Sequence, residues 1–359
     1  MSWLMILLLI LIGLWLLGLW FGHGANLSVY QHPVEPSASE SFGRPSGPSA
    51  EHQQAAHKIQ ALSVPTGRMS RGQMVRMMRD LMEEVPRGRT FNATFVPVKI
   101  GGMAAEWVLA PGAVASRRVL YLHGGAFFAG SPNSHRTITS HFSTVTGAAV
   151  LAIEYRLTPE NRRMDGIEDC RTAYRWMVEN GPDGAAAAER VYISGDSAGG
   201  NLALMLAPWI RDTGLRAADA IIAMSPLVDS TYSGASIRTH VGTDVLLGPV
   251  FGKLLKMPRT LLYWMFVLEN RMRPVNPLVS PIFSDLTGLP PILIQASEAE
   301  MLQDDAIRYV NKARASGTAA RMQRWAGLLH VWQIFTPEVP EAVEAFDQIG
   351  AFIRSVESA

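Results

Sequence analysis

Val191-Tyr192-Ile193-Ser194-Gly195-Asp196-Ser197-Ala198-Gly199-Gly200-Asn201-Leu202-Ala203-Leu204-Met205-Leu206 decides how the rest of the chain is read. An apolar run enters a G-x-S-x-G turn and small residues lead out of it into a second apolar run, the pattern of strand, sharp turn and helix. Glycines let the backbone bend tightly enough to lift a serine oxygen above a sheet. Ser197 is therefore a candidate nucleophile. A glycine-rich turn with an idle serine would read the same way, so the segments around it must decide.

Upstream, the strand-like Arg118–Leu122 runs into His123-Gly124-Gly125-Ala126-Phe127-Phe128-Ala129-Gly130. Negative charge that develops on a carbonyl oxygen can be met by backbone N–H groups of a small-residue loop, here Gly124, Gly125 and Ala126, together with the N–H after the nucleophile, Ala198. Downstream, Gly327-Leu328-Leu329-His330-Val331-Trp332 offers a histidine where a chain order of serine, acid, histidine needs the base. Between them, Glu298 to Asp305 follows the buried-strand pattern Pro291–Gln295. Carboxylates there could orient an imidazole or merely cap a helix. Glu300 and Asp304 are the two candidates. Asp196 reads as a brace of the elbow, and His123 and Glu154 as braces of the glycine loop.

Composition excludes several classes. In 359 residues, 32 Lys and Arg nearly balance 31 Asp and Glu, so no bulk charge draws the chain to nucleic acid. No metal-ligand spacing or phosphate cradle is evident, and no cofactor is expected. The single cysteine, Cys170, rules out an intramolecular disulfide and sits in a helical pattern, so it reads as a packed residue.

Residues 3 to 21 carry no charge, and about 20 apolar residues suffice to cross a bilayer as a helix. A retained single-pass anchor over residues 1–24 is expected in preference to a cleaved signal, because a basic start and a good cleavage site are both missing. Secretion after cleavage is the alternative, and the side of the membrane is left open because the first basic residue is Arg44. Residues 25–65, rich in Ser, Pro, Gly and Ala, read as a flexible tether. From Met69 to Met82, the spacing of Met74, Met77, Met78 and Leu81 predicts a helix with a core-facing stripe.

From about residue 93, strand-like segments alternate with helical ones: Thr94–Ile100 and Ala104–Leu109 as a hairpin, then Val119–Leu122, Ala149–Glu154, Val191–Ser194, Ala220–Met224, Ile292–Gln295 and Ala320–Trp325. Such alternation predicts an α/β architecture, a mostly parallel central sheet flanked by helices, with function at the carboxyl ends of the strands. A segment at about 229–274 interrupts it. This insertion is apolar and reads as a layer that shapes a pocket, with Leu254, Met257, Trp264 and Phe266 joining Phe127 and Phe128 as candidate lining residues.

Taken together, His123-Gly124-Gly125-Ala126-Phe127, Tyr155-Arg156-Leu157-Thr158-Pro159-Glu160, Gly195–Gly200, Asn276-Pro277-Leu278-Val279-Ser280-Pro281, Leu289–Asp305 and His330-Val331-Trp332 resemble the hormone-sensitive-lipase-like branch of the α/β-hydrolases, the bacterial family IV esterases, and especially the epsilon-lactone hydrolases among them. The likeness spans about residues 66 to 357. It implies the α/β-hydrolase fold, with a cap built from an N-terminal segment (66–92) and the insertion, over a catalytic domain of residues 93–359. It also implies Glu300 as the acid, since the family commonly has Asp at that position, with Asp304 in the first turn of the next helix. Two departures stand out: Ala126 replaces the family's third glycine, and Asn161-Arg162-Arg163-Met164-Asp165 replaces the usual aromatic and proline. The expected activity is a serine carboxylic-ester hydrolase on small-molecule esters of short to medium acyl length or lactones, with Ser197, Glu300 and His330 as triad. An amidase or deacetylase on the same triad and a non-catalytic ligand receptor are the alternatives. Nothing in the sequence speaks to oligomeric state.

Overall fold

Strand-forming runs separated by helix-forming ones gather into one nine-stranded sheet in a computed structural model that describes residues 3–61 and 69–358. The strands are β1 (Ser39–Phe42), β2 (Thr94–Ile100), β3 (Met103–Leu109), β4 (Val114–Leu122), β5 (Ala148–Ile153), β6 (Arg190–Asp196), β7 (Ala220–Met224), β8 (Ile292–Ser297) and β9 (Ala320–Trp325). Their spatial order is β1-β9-β8-β7-β6-β4-β5-β3-β2. All neighbours run parallel except β2 with β3 and β3 with β5. The helices are α1 (Trp3–Phe21), α2 (Ala50–Ala61), α3 (Arg71–Glu83), α4 (Arg136–Thr146), α5 (Arg163–Glu179), α6 (Ala198–Asp212), α7 (Ser236–Thr239), α8 (Leu247–Phe251), α9 (Arg259–Asn270), α10 (Gln303–Ala315) and α11 (Pro340–Glu357).

Parallel strands joined by crossover helices are covered on both faces, so β5, β7 and β8 are buried at every position, and β5 and β7 read as continuous apolar runs. Side chains alternate across the sheet. Leu120, Leu122 and Ile193 therefore join Leu202 of α6 and Tyr309 of α10 in one core layer. Val119, Tyr121 and Ile222 join Phe142 of α4 and Phe346 of α11 in the other. Cys170 is buried in α5, and burial pushes its thiol pKa up.

Two expectations need correction. Over its described part, residues 25–61, the expected tether of residues 25–65 is not loose, because β1 pairs in parallel with β9, Ser39 opposite Met322 and Phe42 opposite Trp325. Phe42 stacks on Trp325 at 4.4 Å, and farther on Ser49 donates to Glu341 from both its N–H and its hydroxyl at 2.7 Å. The short Ser-Glu-Ser-Phe strand has no apolar alternation of its own; the open edge of β9 supplies its partner. The expected junction of tether and cap, residues 62–68, lies outside the described residues. In α3, a capping box of Ser70 with Gln73 starts the helix, but only Val75 is buried. The methionine stripe is half-buried, because α3 holds the body through polar side chains described below.

The insertion forms α7, α8 and α9 after β7. Ile237, Leu255 and Leu262 pack with Met301 and Leu302, which directly follow Glu300. Helix α1, uncharged over 19 residues and long and apolar enough to cross a membrane, lies against α9.

Candidate active site

Strand β6 ends at Asp196, and the chain turns into α6 through Ser197, whose φ of 50° and ψ of −112° are strained for a residue with a Cβ. The turn closes only because its neighbours are glycine. A Cβ on Gly199 would fall 1.9 Å from the Leu122 carbonyl oxygen, and one on Gly195 would fall 2.5 Å from Gly199. Ser197 Oγ thereby reaches His330 Nε2 at 2.9 Å.

His330 sits in the loop after β9, and its Nδ1 lies 2.6 Å from Glu300 Oε2. The other oxygen of Glu300 accepts the Ser297 N–H at 2.6 Å. Both residues are buried. Burial alone would lower the imidazole pKa, but the hydrogen bond and charge of Glu300 outweigh it and raise it above its ordinary 6.5. Asp304 turns elsewhere: its oxygens accept from Gln31 Nε2 at 2.8 Å and from the Ser236 N–H at 2.9 Å.

The glycine loop leaves β4 with Gly125 at φ 110°, Ala126 at 51° and Phe127 at 67°. Ala126 therefore holds a left-handed conformation that glycine would adopt more easily. Among the described residues, the Gly125 and Ala126 N–H groups donate to no protein acceptor. Ala198 opens α6, where no intrahelical carbonyl takes its N–H. These three donors are available to an oxyanion. Gly124 is a correction, because its N–H already donates to Asp196 Oδ1 at 3.0 Å.

Asp196 binds the two halves of the site together, since the same oxygen also accepts the Tyr121 hydroxyl at 2.5 Å. Burial would raise its pKa, but the neighbouring His135 and the Tyr121 hydrogen bond hold it below the usual carboxylate value. His123 stacks on Tyr155 at 4.2 Å and contacts the Gly124 carbonyl from Nδ1 at 2.7 Å. Burial, with His135 nearby, drops its pKa to about 3, so it is neutral. Glu154 does not brace the loop; its side chain is exposed.

Sequence reasoning missed two braces. Arg79 of α3 donates from Nε to the Phe128 carbonyl at 2.7 Å and from Nη2 to the Thr158 carbonyl at 3.1 Å, while a fork to Glu160 holds it in place. His52 of α2 accepts the Leu329 N–H on Nε2 at 2.9 Å, beside His330, and burial lowers its pKa so that the ring stays an acceptor. Neither carries a local motif. Each acts across more than 40 residues of chain, so spacing alone holds no signal for them.

The candidate pocket residues divide. Leu254 and Met257 pack against the apolar cluster of the insertion, next to the Glu300 loop. Phe128 lends its carbonyl to Arg79, and Phe127 lies under the Arg163 guanidinium at 3.0 Å from the ring centroid. Arg163 belongs to the Asn161–Asp165 stretch that departs from the resembling family's usual aromatic and proline. Trp264 is turned away from a substrate role, since its Nε1 donates to the Leu14 carbonyl at 3.0 Å and its ring meets Phe21 edge-on at 4.8 Å. Phe266 is half-buried on α9. No cluster of His, Cys, Asp or Glu able to hold a metal occurs among the described residues.

The alpha/beta hydrolase fold family matches residues 119–334. An acetyl-hydrolase of Streptomyces hygroscopicus is 39% identical over 259 residues, 72% of this chain and 82% of that protein. The carboxylesterase/phospholipase LipF of Mycobacterium tuberculosis is 36% identical over 72% of this chain and 68% of its own length. Among solved structures, that of EstE5 soaked with p-nitrophenyl butyrate superposes with a TM-score of 0.75 at 34% identity, covering 87% of this chain and 100% of that one. An esterase from the bacterial hormone-sensitive lipase family gives 0.74 at 32% identity, over 86% of this chain and 98% of the other.

Proposed function

The chain belongs to the α/β-hydrolase family as an esterase-type enzyme, and we propose that it cleaves carboxylic esters of short to medium acyl length, lactones included, through Ser197, His330 and Glu300. One observation carries this reading: the continuous relay from Ser197 Oγ through His330 to Glu300, at 2.9 and 2.6 Å. Its neighbour is a loop with unspent N–H donors.

In this reading His330 Nε2 accepts the serine proton as Oγ attacks the ester carbonyl. The Gly125, Ala126 and Ala198 N–H groups meet the oxyanion. His330 then returns the proton to the leaving alkoxide, leaving an acyl-serine. A water deprotonated by His330 attacks that acyl group, and release of the acid restores Ser197. Glu300 holds Nδ1 protonated throughout, so Nε2 is free to accept. A lactone is a cyclic ester, and the same steps open it with the alcohol still tethered to the acyl group. The acetyl-hydrolase relative supports the short end of this acyl range, and the carboxylesterase/phospholipase relative supports ester cleavage.

The domain reading is a body of residues 93–359 joined by β1 and α2, with α3 and the 229–274 insertion as a cap, and α1 as a single-pass membrane anchor. The length and apolarity of α1 support that anchor. The deciding experiment is labelling by a fluorophosphonate probe in wild type and Ser197→Ala. Labelling that is lost in the variant, with hydrolysis of a p-nitrophenyl ester, supports the mechanism. Labelling that persists, or near-normal turnover in a folded Ser197→Ala protein, sinks it.

A further inference from the structure

We propose that α9 is a second membrane element, a cap helix seated in the lipid surface beside α1, so that the enzyme takes esters that partition into the bilayer. This rests on reading α1 as a membrane span. The two helices are built to touch. Gly18 and Gly22 of the α1 segment stand one turn apart, the small-x-x-x-small spacing that lets helices approach closely in lipid. A Cβ on Gly18 would come 3.1 Å from Thr260 and 3.2 Å from Trp264, and one on Gly22 would fall 2.1 Å from the Tyr263 ring. Arg273 then ties down the end of α1, donating to the carbonyls of Trp20 at 2.5 Å and His23 at 2.7 Å.

These contacts set the depth of α9. They involve α1 residues from Leu14 onward, its C-terminal turns, so α9 lies at one edge of the slab that α1 would cross and not at its middle. Next to the strip that meets α1, one helical step around α9, lie Leu261, Met265 and Leu268, exposed by 44, 41 and 59%. Their spacing of four and three places them on a single face. That face continues the exposed apolar surface of α1, on which only Gly18 and Phe21 are buried. Exposed basic residues bound it at both ends, Lys256 and Arg259 before the strip and Arg271 after it, while the exposed Glu269 next to Leu268 is paired with Arg71. An apolar strip between cationic ends is the pattern of a helix lying in a lipid interface, its charges at headgroup level. About a quarter turn around α9 from that face, Leu262 is buried in one cluster with Met301 and Leu302, so the lipid-facing helix packs beside the loop that carries Glu300.

The test uses the full chain in phosphatidylcholine–phosphatidylglycerol vesicles containing nitroxide-labelled acyl chains. Leu9→Cys, Leu268→Cys and Val114→Cys are each labelled with a small fluorophore; Cys170 is buried and out of reach of the reagent. Val114 opens β4 at the amino end of the sheet, opposite the cap, and serves as the water-exposed control. Quenching at positions 9 and 268 but not 114 is expected. Quenching at 9 alone overturns the seated cap while leaving the anchor intact; quenching at neither overturns both. The substrate half is read on a Leu261→Ser, Met265→Ser, Leu268→Ser variant. Turnover of water-soluble p-nitrophenyl acetate should be unchanged, while hydrolysis of 4-methylumbelliferyl octanoate dissolved in vesicles should fall severalfold. Equal rates on both substrates, relative to wild type, overturn that half.

Discussion

Replacing Glu300 by glutamine tests the acid most sharply, because the change keeps shape and removes only charge and one acceptor. In the native chain both carboxylate oxygens accept, one from the Ser297 N–H and the other from His330 Nδ1, each at 2.6 Å. A carboxamide has one acceptor. If its oxygen stays on Ser297, its NH2 faces Nδ1, the imidazole proton moves to Nε2, and the base points a hydrogen at the serine it must deprotonate. If the amide flips, two N–H donors meet at Ser297 in a buried site, at a cost of about 1–3 kcal/mol. That alone lowers the productive population by roughly tenfold to a hundredfold, since about 1.4 kcal/mol is a factor of ten. Loss of the charge that stabilises the imidazolium adds to it, and a total on the order of 10⁴-fold in turnover is expected, as for the analogous aspartate-to-asparagine change in a serine-protease triad. The pH profile gives an independent reading. Activity requires the unprotonated base, and the His330 pKa lies above 6.5 because Glu300 outweighs burial, so the wild-type activity limb rises above pH 6.5. In Glu300→Gln the residual limb should move down. Asp304→Asn is the control, since Asp304 serves Gln31 and Ser236; it should lose about 1 kcal/mol of stability and keep its turnover. Turnover of p-nitrophenyl butyrate and thermal melting of both variants decide the matter. A folded but inactive Asp304→Asn beside an active Glu300→Gln would refute the reasoning.

Three further outcomes are expected. Arg79→Ala frees the Phe128 and Thr158 carbonyls, loosening the loop of unspent donors, and should lower kcat about tenfold to a hundredfold with little change in KM; a change confined to KM would contradict that role. His52→Ala leaves the Leu329 N–H buried without its acceptor, so a loss of about 1–3 kcal/mol in denaturant unfolding is expected together with reduced kcat, and an unchanged midpoint would count against it. Across a p-nitrophenyl ester series, kcat/KM should climb by roughly fourfold per methylene, from about 0.8 kcal/mol each, over the first few carbons and then fall as the pocket fills. A rate still rising on long emulsified chains would point to a lipase.

The sequence by itself determined the sheet and the ends of its strands that matter. Continuous apolar runs such as Ala220–Met224, too short for a helix and spaced between helical patterns, read as strands buried on both faces, and the G-x-S-x-G turn places a serine where such a strand meets its helix. Glycines 195 and 199 are legible for the same reason, since their demand is local and steric. Other choices, such as Glu300 over Asp304, the sequence reached only through the family resemblance. Glu300 and Asp304 stand four residues apart, one in the loop after β8 and the other in the first turn of α10, and only the tertiary structure brings His330, from the loop after β9, to the first and Ser236, at the start of α7, to the second. Gly124 shares its loop with Gly125, yet its N–H is taken by Asp196, a partner 72 residues away. The largest difference lies near the amino end. Ser39–Phe42 and His52 carry no periodicity that marks them as structured, because their order comes from surfaces the rest of the chain must first assemble: the open edge of β9, Glu341 and the His330 loop. Likewise, Trp264 is as apolar as any pocket wall, and its place against α1 follows from two glycines some 240 residues earlier that no local pattern connects to it. Local sterics and periodicity are written in consecutive residues, whereas pairing across the fold depends on which edges and donors folding leaves unfilled.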